Sequence, residues 1–168
     1  MKKNVAVIGM AGNMKDGVAR ALAARRGMML MDCRDYITFE KSMPPEEIVR
    51  KTNITYFKRL VSAAVAETAD LENVVFVSCD ETVLSVADLK KLKENCVVIL
   101  LIASTKAILS KYSKIKPMSP LIDAEKLGKT NEPCQKRYSA VCDFKIDVGK
   151  KSLAKAVGEI NDYLETLP

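Results

Sequence analysis

Apolar positions along this chain fall into short blocks separated by stretches with helical spacing. Residues 3–8 (KNVAVI) form a β-branched run that ends in a glycine-bearing turn, and residues 15–26 follow with a helical period. Residues 28–31 make a second short run. Residues 45–71 hold helix formers with an apolar stripe through Ile48, Phe57, Leu60, Val61 and Val65. Residues 73–77 (NVVFV) predict a third strand, and residues 86–94 a helix that ends at Asn95. Residues 96–103 (CVVILLIA) are apolar without interruption, as expected of a strand buried on both sheet faces. A helix is predicted over 105–112. Residues 114–133 are polar and aperiodic and contain Pro117, Pro120, Gly128 and Pro133, which predicts a mobile loop or lid. Residues 143–148 alternate as a strand, and residues 152–167 close the chain as an amphipathic helix.

Five strands alternating with helices predict a parallel three-layer α/β sandwich with right-handed crossovers. No linker or internal repeat divides the chain, so residues 1–168 are expected to form one domain. In such sheets ligands bind at the carboxyl ends of the strands. Those ends are Gly9, Met31 with Asp32, Val77 with Ser78, and Ala103 with Ser104.

Composition narrows the chemistry. With 48% hydrophobic and 29% charged residues, 168 residues suffice for one globular core. The longest apolar run is well below the ~18 residues of a membrane span. The amino terminus passes directly into a strand with no secretory pattern, and a cytoplasmic monomer is expected. Five cysteines, none in a CxxC pair, are read as reduced thiols. The absence of histidine excludes His-dependent triads and His-ligated metal sites. A net charge of +6 suits nucleotides or small anionic metabolites. Without an RNP-type motif, a zinc finger or a long basic run, nucleic acid is the minor reading.

The first turn carries the sharpest motif. Gly9-Met10-Ala11-Gly12-Asn13-Met14-Lys15-Asp16 follows a strand and opens a helix, as the phosphate-binding loop GxxxxGK[ST] does. Gly9 and Lys15 stand at the required spacing, Gly12 lies inside the loop and Gly17 follows it. Met14 replaces the last glycine, and Asp16 replaces the hydroxyl residue that ordinarily ligates magnesium. Asp16 also places a carboxylate at the positive helix end, where it could pair with Lys15. Two readings stay open here: a weakened nucleotide loop binding through Gly9, Gly12, Asn13, Met14, Lys15, Asp16 and Gly17, or a turn capped by its own aspartate.

The chain resembles the shikimate kinases, small phosphate-loop kinases, over nearly its whole length. The resemblance rests on residues 4–20 (NVAVIGMAGNMKDGVAR), 31–40 (MDCRDYITFE), 47–58 (EIVRKTNITYFK), 96–101 and 138–143 (YSAVCD). It implies strand order 2-3-1-4-5, with ATP and Mg2+ as cofactors and shikimate as substrate. Lys15 and Asp32 would be catalytic, with Asp16 and Asp32 near the metal. Substrate binding would fall to Asp32, Arg34, Lys58, Cys79 and Lys116.

Several positions depart from the family pattern. Arg34 stands where a second aspartate is expected, and Lys58 replaces a carboxylate-binding arginine. Ser78-Cys79-Asp80 replaces a triple glycine. Ser119-Pro120-Leu121 lacks the cation of an Arg-Pro-Leu lid segment, although Lys116 precedes it. A second substrate arginine would align with Cys134, beside Lys136 and Arg137. Together these departures predict weakened or lost phosphoryl transfer, because that reaction depends on positioning and charge neutralisation.

Three function classes follow: a weak or redirected shikimate-kinase-like enzyme, a non-catalytic descendant that binds a ligand or protein partner, and a nucleic-acid binder. Cys33, Cys79 and Cys134 would gather at the cleft, as thiol chemistry or, more commonly, as small fillers. Met28, Met29 and Met31 read as core. Lys106, Lys111, Lys114, Lys116, Lys126 and Lys129 could gather over an anion or simply face solvent.

Overall fold

The computed structural model describes residues 4–115 and 119–168. Among these, β1 (Asn4–Gly9), β2 (Met29–Asp32), β3 (Val74–Val77), β4 (Cys96–Ile102) and β5 (Phe144–Asp147) form a sheet in the order β2-β3-β1-β4-β5. Every pairing is parallel, as the continuous apolar runs require of strands covered on both faces. Alternation along β1 sorts the core into two layers. Ala6 and Ile8 join one cluster with Phe57, Val61, Leu89 and Tyr138, while Val5 and Val7 join the other with Val18, Leu22, Ile160 and Leu164. Helices α1 (Lys15–Arg26) and α8 (Leu153–Glu165) cover the second face. On the opposite face lie α2 (Cys33–Lys41), α3 (Pro45–Lys51), α4 (Ile54–Ala69), α5 (Val86–Asn95) and α7 (Ala124–Ser139). The backbone of α6 (Thr105–Ile115) follows β4.

Buried Asn4 ties the layers at the start of β1. Its amide donates to the carbonyls of Thr68 (3.3 Å) and Leu71 (2.8 Å), and its oxygen accepts from the Val74 N–H at 3.0 Å.

Three elements differ from the pattern-based expectation. Helix α2 starts directly at the end of β2, with Asp32 as its cap: the Asp32 carboxylate accepts from the N–H groups of Arg34 (3.0 Å) and Asp35 (3.3 Å). The predicted helical stretch 45–71 breaks at Thr52–Asn53, where Asn53 caps α4 through the Tyr56 N–H at 2.8 Å.

The third difference corrects the expected lid. Residues 124–133 belong to α7, a 16-residue helix with Pro133 inside it. Its buried positions are Leu127, Asn131, Cys134 and Tyr138, a helical spacing written largely in non-aliphatic residues and therefore silent in an apolar count. Proline deletes one intrahelical bond. Side chains compensate: the Asn131 and Gln135 amides both donate to the Ala103 carbonyl, at 3.2 and 2.7 Å, and clasp the helix to the end of β4. Lys116 lies outside the described residues.

Candidate active site

The carboxyl ends of β1, β2 and β3 bring the predicted site together. In register, Val7 pairs with Val77 and Asp32 with Val77, so the turns leaving these strands converge. The first turn has the geometry of a phosphate loop. Gly9 has φ 152°, and a Cβ there would collide with the Asn13 side chain and lie 2.6 Å from the Leu101 carbonyl. The Asn13 amide donates to that carbonyl at 2.8 Å, which fixes the loop to β4, while its buried oxygen has no partner among the described residues. Gly12 is also left-handed, at φ 78°. Met14 adopts φ 54°, ψ 22° just before α1 opens. A non-glycine residue there costs about 1–2 kcal/mol. Packing of the Met14 side chain against the Val5–Val7 layer offsets part of it.

Lys15, only 2% exposed, forms an ion pair with Asp80 in the turn after β3. Burial acts to lower the ammonium pKa, but the charges of Asp80 and Asp16 more than reverse this and raise it above its ordinary value. Lys15 is therefore a cation; its direct partner is Asp80, while Asp16, which could have paired with it, acts through its charge. Asp16 is exposed at the loop rim. Desolvation raises its carboxyl above the usual range; Lys15 opposes the shift, and Asp80 and Asp32 add to it. Asp32 is raised for the same leading reason, against its two capping N–H donors. Gly17 faces away: a Cβ there would touch the Leu153 side chain of α8 at 3.4 Å. Its position serves helix packing.

A second ion cluster occupies the expected substrate side. The Arg34 guanidinium donates to both carboxylate oxygens of Glu46, at 3.0 and 3.2 Å, and pairs with Glu81. The Glu81 side chain is 2% exposed, and its second oxygen has no partner among the described residues; neither do Ser78 Oγ and Thr82 Oγ1. Partial burial works to raise the Glu46 carboxyl, but hydrogen bonds from Ser119 and Arg34 outweigh it and hold it below the ordinary range.

Cys33 and Cys79 lie together as buried free thiols. Their mutual hydrogen bond, then burial, keep Cys33 well above the usual thiol pKa. Cys134 sits apart in α7, beside Tyr138 and Arg137, and burial raises it too. The segment expected to supply a second substrate arginine turns to the backbone at Leu84. There the Tyr138 hydroxyl accepts from the Leu84 N–H at 2.9 Å, and Arg137 donates to the Leu84 carbonyl at 3.2 Å. Lys58 is exposed on α4, next to buried Phe57.

Lys15, Asp16, Asp32, Arg34 and Cys79 thus come together, while Gly17 and Cys134 serve packing. Sequence reasoning missed Asp80, Glu81 and Glu46 as members of the site. The signal for the first two was present: consecutive acids just beyond a strand end, in the turn where the family pattern has glycine. Among the described residues no group of three or more Cys, Asp or Glu is arranged to hold a metal ion. The loop backbone, Lys15 and the hard oxygen donors of Asp16 and Asp32 nevertheless fit a magnesium nucleotide in chemical type, because magnesium is commonly held by one or two carboxylates plus substrate phosphates. Asp80 would have to yield its place on Lys15.

A five-stranded parallel sheet in this order, with a phosphate loop between β1 and α1, defines a phosphate-loop kinase fold. Solved structures agree: shikimate kinase from Aquifex aeolicus superposes with a TM-score of 0.82 at 20% identity, covering 97% of this chain and 96% of that one. Shikimate kinase from Acinetobacter baumannii in complex with shikimate gives 0.86 at 16% identity, covering 99% and 94%. The shikimate kinase profile matches residues 11–165, and the chain belongs to the shikimate kinase family. Relatives include the shikimate kinases of Caldanaerobacter subterraneus subsp. tengcongensis, 29% identical over 160 residues, and of Thermoanaerobacter pseudethanolicus, 27% identical over 164; both matches cover 94% of each chain.

Proposed function

We propose that this chain is an ATP- and Mg2+-dependent phosphotransferase acting on a small hydroxylated metabolite, shikimate by family, with turnover weakened by its altered site. The observation that carries this reading is the convergence of the glycine-bearing first turn with Lys15 and Asp32 at the ends of β1, β2 and β3. ATP, when bound, supplies the phosphoryl group. Lys15 would hold its anionic tail, the loop N–H groups would cradle it, and Asp32 and Asp16 would lie toward the magnesium. Asp32 is already oriented by the two N–H groups it caps.

Weakening follows from charge. Phosphoryl transfer relies on positioned positive charge at the phosphates, and here carboxylates of one turn stand on both Lys15 and Arg34 and offset part of that charge. That observation also supports a second reading, a non-catalytic descendant that uses the cleft to bind a small anionic metabolite, a nucleotide or a protein partner. Among the described residues no helix is long and apolar enough to cross a membrane. A cytoplasmic monomer is the working proposal. A coupled ADP-release assay with shikimate, ATP and Mg2+ separates the readings. Slow shikimate-dependent turnover that K15M abolishes supports the enzyme. Absence of turnover supports the binding descendant, and nucleotide titration by calorimetry then tells whether a nucleotide or another ligand occupies the cleft.

A further inference from the structure

We infer that Asp80 is the resident anion of the phosphate loop: its carboxylate takes on Lys15 the place of a phosphate tail, so that phosphate-bearing ligands enter by exchange with Asp80. This rests on the reading of the loop as an anion site and adds the residue that sets its selectivity.

Three observations carry it. Lys15 is only 2% exposed, and a buried ammonium is strongly disfavoured without a counter-ion, so something anionic has to stand on it in every state of the loop. Asp80 is 26% exposed and lies in the turn beyond β3, with a path to solvent when it leaves. The adjacent residue repeats the arrangement, since Glu81 pairs with Arg34 on the acceptor side. Two consecutive carboxylates of one turn thus answer two cations of the cleft. The surroundings favour exchange over addition. Asp16 adjoins Lys15 in the chain and Asp32 ends β2 beside Val77 of β3, so a polyphosphate entering beside Asp80 would add to an already acidic neighbourhood. Replacing Asp80 leaves one anion on Lys15 throughout.

The test uses the full chain and inorganic pyrophosphate, a phosphate tail without base or sugar. Thermal unfolding and calorimetric binding are compared in wild type and D80N. D80N alone should melt below wild type because Lys15 is left without its carboxylate. Pyrophosphate should lift D80N further than wild type and bind it about tenfold tighter or more. K15M should remove the pyrophosphate response in both backgrounds. K93Q breaks a Lys–Asp pair at the opposite end of β4 and should melt lower with no gain in pyrophosphate response.

Equal or weaker pyrophosphate binding by D80N overturns the inference. Should D80N fail to fold alone, its folding in about 10 mM pyrophosphate supports exchange. Its failure to fold there, while K15M/D80N folds, overturns exchange. Shikimate-dependent turnover is read in parallel. Wild-type turnover without a binding gain in D80N overturns the role of Asp80 alone. A binding gain without turnover in any variant overturns the kinase reading and leaves the role of Asp80 standing.

Discussion

Two lysine–aspartate pairs sit at opposite ends of the sheet. Lys15 and Asp80 meet at the carboxyl ends, with Lys15 2% and Asp80 26% exposed. Lys93 and Asp143 meet at the amino-terminal end of β4, 2.5 Å apart, 40% and 24% exposed, and the second Asp143 oxygen accepts from the Val98 N–H at 2.9 Å. The chemistry is the same and the burial is not. At the exposed pair water can solvate Lys93 if its partner is lost, so the pair contributes little. At the buried pair Lys15 is cut off from water and, with Asp80 gone, keeps only the through-space charge of Asp16, so the local structure depends on an anion being there.

The largest expected effect breaks the buried member. D80A should cost about 3–5 kcal/mol, read by urea or thermal unfolding in phosphate-free buffer. Next, M14G/D16S removes the left-handed methionine and the carboxylate at the helix end. It should tighten nucleotide binding several-fold, about 1 kcal/mol, and calorimetry showing unchanged or weaker binding would reject the account of the altered loop. K93A should cost under about 1 kcal/mol and sharpens the contrast; a loss equal to that of D80A would erase it.

The smallest effect concerns pH. Asp16 and Asp32 have folded-state pKa values above the usual 3.8, so the stability linked to their protonated forms is present in acid and lost as pH rises through the raised values. Glu46 has the opposite sign: its contribution is present above 4.5 and lost as pH falls through its lowered value. D16N should therefore melt slightly higher than wild type at pH 7 and narrow the difference between pH 7 and pH 5. A D16N melting temperature below wild type at pH 7 would contradict this.

How legible these regions are in the sequence follows from the same contrast. The strands were readable because burial on both faces writes unbroken apolar runs: residues 73–77 and 96–103 correspond to Val74–Val77 and Cys96–Ile102. Helix α7 was not, because its buried stripe includes Asn131 and Cys134 and its interior holds Pro133; hydrogen bonds to Ala103, invisible to periodicity, keep it in place. The phosphate loop was readable as a local motif. Its partner was not, because Lys15 and Asp80 are 65 positions apart and meet only through the parallel pairing of β1 with β3. Likewise Arg34 reads locally as a substrate-side cation, whereas Glu46 and Glu81 reach it from two other segments.

The shared carboxylate of Glu46 has a mechanical consequence. It sits on α3, accepts from Arg34 of α2, and is bonded by Ser119 ahead of α7. Pro44, Val49, Pro120 and Leu121 line the groove between these segments. One side chain therefore links α2, α3 and the segment ahead of α7. Separating α3 from that segment would disturb a carboxylate contact as well as an apolar one.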